Sequence, residues 1–151
     1  MRLKLHKRQS AVFHSKANEI LYGGAAGAGK SYLLRALAIA ACLDNPGVSV
    51  YIFRRHYSDL ISNHFSGSGS FQELLAPFIE SGQCKISMGD LNIRFENGSA
   101  IYGRHVQHST DAVKYQGVEI NLLLLDEATH LDEYIYRFLR SRVRIGGLQV
   151  K

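Results

Sequence analysis

The nine residues Gly23 to Ser31, GGAAGAGKS, constrain this chain more than any other stretch. Within them Gly24-x-x-x-x-Gly29-Lys30-Ser31 satisfies the full spacing of a phosphate-binding loop, G-x-x-x-x-G-K-[ST]. The spacing has a physical cause. Glycines let successive backbone N–H groups turn inward around a phosphate, at a helix N-terminus whose dipole favours an anion. Ala25, Ala26, Gly27 and Ala28 keep the loop wall low. Lys30 then reaches the β- and γ-phosphates, and the Ser31 hydroxyl is a ligand for Mg2+. Such a loop needs a strand before it and a helix after it. The segment EILYGG (19–24) predicts a short buried strand stopped by glycines, and KSYLLRALAIAACL predicts a helix from Lys30 to near DNPG (44–47). The bland alternative, a glycine-rich loop with an accidental lysine, does not account for that context.

The remaining chain extends the pattern. VSVYIFRR (48–55) alternates and is rich in β-branched and aromatic residues, which predicts a second strand. FQELLAPFIESG (71–82) predicts an amphipathic helix closed by Gly82, with a candidate kink at Pro77. CKISMGDLNIRFENGSAIYGRHV predicts three antiparallel strands over about 84–105, turning first at MGD and then at Asn97-Gly98. Asn-Gly suits a type I′ turn. Residues 107–119 have loop character, INLLLL (120–125) suits a strand buried on both faces of a parallel sheet, and a helix follows over about 132–142. Strands separated by helices, with glycines at the first junction, predict an α/β sandwich.

Bulk properties narrow the class. With 151 residues, 46% hydrophobic and 21% charged, the chain suits one globular domain with its own core. Cys42 and Cys84 lie in apolar patterns without a CxxC partner and read as reduced core thiols in a reducing compartment. The N-terminus MRLKLHKRQS lacks the apolar core of a signal peptide, and LLRALAIAACL is too short for a membrane span and carries Arg35. The net charge of +5 is uneven: the basic segment 1–18 and residues 134–151 each hold five Lys or Arg and no acid. Basic ends of this kind suit a phosphate backbone, or equally a solvated surface.

The second chemical signal is NLLLLDEATHL (121–131). Four leucines running into Asp126 and Glu127 admit several readings: a strand delivering paired carboxylates, a helicase-type box, a metal cluster with His130, or core followed by a solvated turn. The phosphate loop decides among them. A buried strand that brings Asp126 beside it is a Walker B element, with one carboxylate near Mg2+, while Glu127 points elsewhere and polarises the attacking water. The plain alternative for Glu127 is a helix cap. The helicase box fails because His130 comes one position late. A zinc site fails because HExxH is absent and two cysteines are too few. His130 is a surface or capping residue.

Taken together, these residues resemble the N-terminal ATPase domain of a tailed-bacteriophage terminase large subunit. Arg8-Gln9 precedes the phosphate loop, as the adenine-contacting glutamine of that family does; GGAAGAGKS is alanine-rich; the second strand ends in FRR (53–55). IRFENGSAIYG (93–103), KYQG (114–117), LLLLDEA and RSRVR (140–144) complete a likeness over about residues 8–145. The resemblance implies a RecA-like, additional-strand P-loop fold with the antiparallel hairpin region inserted. It implies ATP and Mg2+ as cofactors. Lys30 and the loop residues Gly24 to Ser31 would lie on the phosphates, Gln9 on adenine, Ser31 and Asp126 on Mg2+, and Glu127 on the water. Double-stranded DNA, a portal protein and a small terminase subunit are the implied partners, in a homo-oligomeric ring in the bacterial host cytoplasm. The coupling motif and the nuclease domain of the family are expected to lie outside this chain, leaving 1–151 as one partial ATPase domain. Some relatives carry an arginine finger just before the glycine at 117; here Gln116 stands there, with Lys114 nearby, so Arg54, Arg55 or the 140–144 cluster remain candidates. The rival readings are a nucleotide-binding remnant without turnover and a helicase- or recombination-type P-loop ATPase.

Overall fold

The computed structural model describes residues 3–24, 27 and 29–144. Ala25, Ala26 and Ala28 of the phosphate loop, and residues 1–2 and 145–151 of the basic ends, lie outside the described residues. A short helix α1 (Lys7–Phe13) leads, through an extended segment, to the long helix α2 (Lys30–Asp44). Strand β1 (Ser49–Arg54) follows, then α3 (Tyr57–Leu60), which widens into a π-helical turn over Ile61–Phe65. Helices α4 (Phe71–Leu74) and α5 (Ala76–Glu80) precede β2 (Cys84–Ser87), β3 (Asn92–Phe95) and β4 (Ala100–His105). The chain closes through α6 (Ser109–Ala112), β5 (Leu122–Leu125) and α7 (Glu133–Arg140).

The strands form one sheet in the order β2-β3-β4-β1-β5. β1 is parallel to β4 and β5, whereas β3 is antiparallel to β2 and β4, so the expected hairpin region is continuous with the parallel half. Side-chain alternation along β1 sorts the core into layers. Val50 and Ile52 face a cluster containing Ala38, Ile39, Phe65, Phe71 and Ile101. Tyr51 and Phe53 face the opposite cluster with Ile120, Ile135 and Leu139 of α7. α1 packs Phe13 on the far side of α2, against Ala36 and Ala40, which is why α2 is apolar nearly all round. The result is a three-layer α/β sandwich.

Both expected helix boundaries of α2 hold. Gly29 caps its start in the left-handed region, at φ 70°, and the Asn45 side chain donates to the Ala41 carbonyl at 2.9 Å just before Pro46. The predicted helix over 71–82 is interrupted at Leu75 and resumes with Pro77 near the start of α5, where a missing N–H costs nothing. Residues 107–119 are not all loop: α6 and a 3₁₀ turn over Val113–Tyr115 lie within them.

Three expectations need correction. Residues 19–24 form no strand; Ile20 and Leu21 are 43% and 90% exposed, and an ion pair at 2.9 Å between Glu19 and Arg140 ties the segment down. β-propensity measures fit to a pleated, half-buried surface, and this segment pairs with no described strand. For the same reason β5, though packed on both faces, is an edge strand whose leucines at 122, 123 and 125 are only partly buried. The Asn97-Gly98 turn is not type I′ either. Gly98 has φ 84° but Asn97 is not in the left-handed region, and the Gly98 N–H donates to the Phe95 carbonyl at 3.1 Å. A three-residue loop ending in left-handed glycine fits this bonding. It leaves Asn97 free to donate from Nδ2 to the Cys42 carbonyl at 2.8 Å, clamping the hairpin to the end of α2. Ser99 Oγ donates to the same carbonyl at 2.9 Å.

Candidate active site

Parallel pairing brings the C-terminal ends of β1 and β5 side by side, with Phe53 opposite Leu125. The next residues, Arg54 at the end of β1 and Asp126 just past β5, therefore stand together, and the Asp126 N–H donates to the Phe53 carbonyl at 3.0 Å. The first turn of α2 meets them at this sheet end, the usual place for a ligand in an open α/β sheet. Ser31 Oγ donates to Asp126 Oδ2 at 3.2 Å. Lys30, one residue earlier, donates from Nζ to the Gly24 carbonyl at 2.6 Å, spanning the loop that it closes. Of the loop itself, Gly24, Gly27, Gly29, Lys30 and Ser31 are described.

Gln9 is placed by α1 against this loop. Its Nε2 donates to the Gly29 carbonyl at 2.9 Å, and its Oε1 accepts from the His6 N–H at 3.0 Å. A Cβ on Gly29 would lie 2.5 Å from that Nε2 and displace the end of the Gln9 side chain, and the φ of 70° independently favours glycine.

Asp126 is 3% exposed, and three donors converge on its Oδ2. Besides Ser31, Arg54 Nη1 donates at 2.8 Å and His64 Nε2 lies at 2.7 Å. Burial alone would raise the carboxyl's pKa; the hydrogen bond from His64, the Arg54 charge and the Ser31 hydroxyl outweigh it and hold the group below its ordinary range. His64, wholly buried, is pushed below its ordinary value by burial and by the charges of Arg35 and Arg54, against the pull of Asp126. Burial and the neighbouring guanidinium charges thus favour its neutral form. Arg35 Nη1 stands 3.3 Å from His64 Nδ1 and donates to the Asn63 carbonyl at 2.5 Å.

Glu127 adopts φ 54° and ψ 47°, the left-handed region that non-glycine residues rarely enter. Its side chain is partly exposed, at 37%. It sits at the head of the 3₁₀ turn Ala128–His130, but its side chain makes no capping bond. Arg54 Nη2 is 3.9 Å from Glu127 Oε1, so one guanidinium spans both carboxylates. His130 lies 3.8 Å from Glu127 on the surface.

The donor set of Ser31 hydroxyl and Asp126 carboxylate is hard oxygen, which fits Mg2+ held mainly by phosphates and water. Among the described residues no cluster of three or more His, Cys, Asp or Glu is arranged to hold a metal. Of the other arginines, Arg142 donates to the Gln116 carbonyl at 2.6 Å and lies over the Phe138 ring, while Arg140 pairs with Glu19.

His64 and Arg35 belong to the network although no motif announces them. Arg35 had one legible signal: a charge inside an apolar helical run, four residues after Ser31 and so on the same helix face. His64 had none, because a turn from a different part of the chain brings it in.

Three layers, parallel strands ending at one site, and a glycine–lysine loop opening the helix beneath them define a RecA-like P-loop sandwich. The chain belongs to the N-terminal family of terminase large subunits, T4-like virus type, which matches residues 21–147. The fold is similar to that of the ATPase domain of the large terminase of Thermus phage P74-26, solved as a point mutant. The TM-score is 0.70 at 19% identity, and the likeness covers 97% of this chain and 66% of that one. No curated protein sequence matches the chain. Among the described residues, no helix is long and apolar enough to cross a membrane.

Proposed function

We propose that this chain carries the ATP-hydrolysing site of a terminase motor that drives double-stranded DNA into procapsids. The observation that supports this most is the meeting of Ser31 and Asp126, 95 residues apart in sequence, at 3.2 Å beside the Gly29–Lys30 helix start. In this reading the backbone N–H groups of residues 24–31 and the Lys30 ammonium bind the phosphates of ATP. Ser31 and Asp126 hold Mg2+, which when bound neutralises charge developing on the phosphates. Glu127, partly exposed and linked to Asp126 through Arg54, orients and deprotonates the attacking water. Gln9 holds the loop through Gly29 and borders the place assigned to adenine. Arg54, engaged with both carboxylates of its own chain, acts within its subunit, which leaves a finger reaching a neighbouring subunit to Arg55 or to the 140–144 cluster. DNA, a portal protein, a small terminase subunit and a ring of copies in the host cytoplasm are the partners and setting of this reading, with the basic segment 1–18 a candidate for DNA phosphates.

The test is nucleotide binding and steady-state hydrolysis on the 151-residue chain. Lys30→Ala should weaken Mg2+–ATP binding about 10- to 100-fold, the equivalent of one lost charge-assisted hydrogen bond. Glu127→Ala should bind normally and lower kcat about 10²- to 10⁴-fold, as loss of a general base does. Binding by the parent chain without turnover would favour a nucleotide-binding role completed by further chain. No binding at all would sink the phosphate-site reading.

A further inference from the structure

We propose that His64 is a positioning residue for Asp126, fixing one carboxylate oxygen so that a Mg2+ contact falls to the other. The inference rests on the reading of Asp126 as a Mg2+ partner. It begins with backbone geometry: after α3 the turn widens, and the Ser66 N–H donates five residues back to the Ile61 carbonyl at 3.0 Å. Single π-helical turns of this sort recur at functional sites. This one drives His64 and Phe65 into the interior, with the imidazole beside the Phe71 ring and its Nε2 at 2.7 Å from Asp126 Oδ2.

Arg35 decides the tautomer. A guanidinium has donors only, so the Arg35 Nη1 at 3.3 Å makes His64 Nδ1 an acceptor. The single ring proton must then sit on Nε2, where it is donated to Asp126. The order is Arg35 to His64 to Asp126, each group holding the next. Placing an arginine and an imidazole in the interior is unfavourable, and Arg35 Nε there lacks a partner. An apolar pair would fill the same space at lower cost, which points to orientation of Asp126 as what these side chains achieve. With Ser31, Arg54 and His64 all on Oδ2, that oxygen is saturated and the carboxylate plane is pinned. Partners that orient a metal-binding side chain in this way typically change metal affinity or activity 10- to 100-fold when removed.

The experiment follows the binding of a fluorescent ATP analogue to the full chain, first in EDTA and then across a Mg2+ titration. His64→Leu should raise the Mg2+ midpoint about 10- to 100-fold and leave Mg2+-free nucleotide binding near that of the parent chain. His64→Gln, whose amide can accept from Arg35 and donate to Asp126, should restore most of the loss. An unchanged midpoint in a folded His64→Leu protein would overturn the proposal. So would a midpoint that Gln fails to rescue. A parent chain that binds no nucleotide in either condition would overturn the phosphate-site reading and the proposal with it, a result distinct from an unaltered midpoint. If His64→Leu does not fold, long-range 1H–15N NMR of the parent chain decides: a proton on Nε2 is expected, and a proton on Nδ1 would overturn the relay.

Discussion

Asp126 and His64 show how single side chains set the response of this molecule to acid. Both have folded-state pKa values below their ordinary ones, so the folded protein binds fewer protons than the unfolded chain in the affected range. Their stabilisation is complete above the unfolded pKa and is lost on acidification. For His64 the loss should begin below its ordinary value of 6.5, and for Asp126 below 3.8, as pH falls through the folded values. Thermal melts across this range should show Tm falling steadily with acid, and His64→Leu should flatten the part of the profile that starts near 6.5. Flat behaviour in both proteins would contradict a buried neutral imidazole. A second residue-scale expectation concerns Asn97. Its bonds to the Cys42 carbonyl and to Ser99, whose N–H donates to Asn97 Oδ1 at 3.0 Å, are partly buried. Asn97→Ala should therefore destabilise by about 1–3 kcal/mol in denaturant unfolding, without altering nucleotide affinity.

At the scale of elements, contact between β4 and the π-helical turn determines where His64 lies. A Cβ on Gly103 would sit 2.5 and 2.7 Å from two ring carbons of Phe65, the residue after His64, and 3.3 Å from Leu91. Gly103→Ala should force the turn outward and cost about 1–3 kcal/mol as overpacking does. Because the same turn carries His64, the variant should also lose Mg2+-dependent nucleotide affinity, which equilibrium titration would detect. A stability loss with an unaltered Mg2+ midpoint would mean that β4 and the site are uncoupled. The cysteines behave as small apolar residues here: both are buried and free, and burial pushes the Cys42 thiol up to about 12.

For the whole molecule, the distribution of backbone pairing predicts a gradient of local stability. β1 is paired on both sides and buried on both faces, whereas residues 19–24 lie outside the sheet with Leu21 exposed. Native-state hydrogen exchange should find β1 amides among the slowest and those of 19–24 among the fastest. Bound ATP should slow exchange in 19–24, because the segment leads directly into the loop assigned to the phosphates. Equal protection of the two segments in the free protein would contradict the arrangement described here.

Local rules sufficed for much of this. The limits of α2, the β1 strand and the three-strand meander were legible, because spacing, capping and alternation depend on near neighbours in the chain, and the motifs that hold Ser31 and Asp126 were legible as motifs. The sequence by itself also determined the family, through motifs whose chemistry tolerates few substitutions. Tertiary structure alone decided the rest. EILYGG has the composition of a strand, yet a strand needs a partner edge that composition cannot supply. Asn97-Gly98 suits one turn, yet the Cys42 carbonyl at the end of α2 selected another. The ring of donors around Asp126 joins α2, β1, a π-helical turn and β5; such a convergence arises only when the sheet has formed, since no periodicity relates residues 31, 54, 64 and 126.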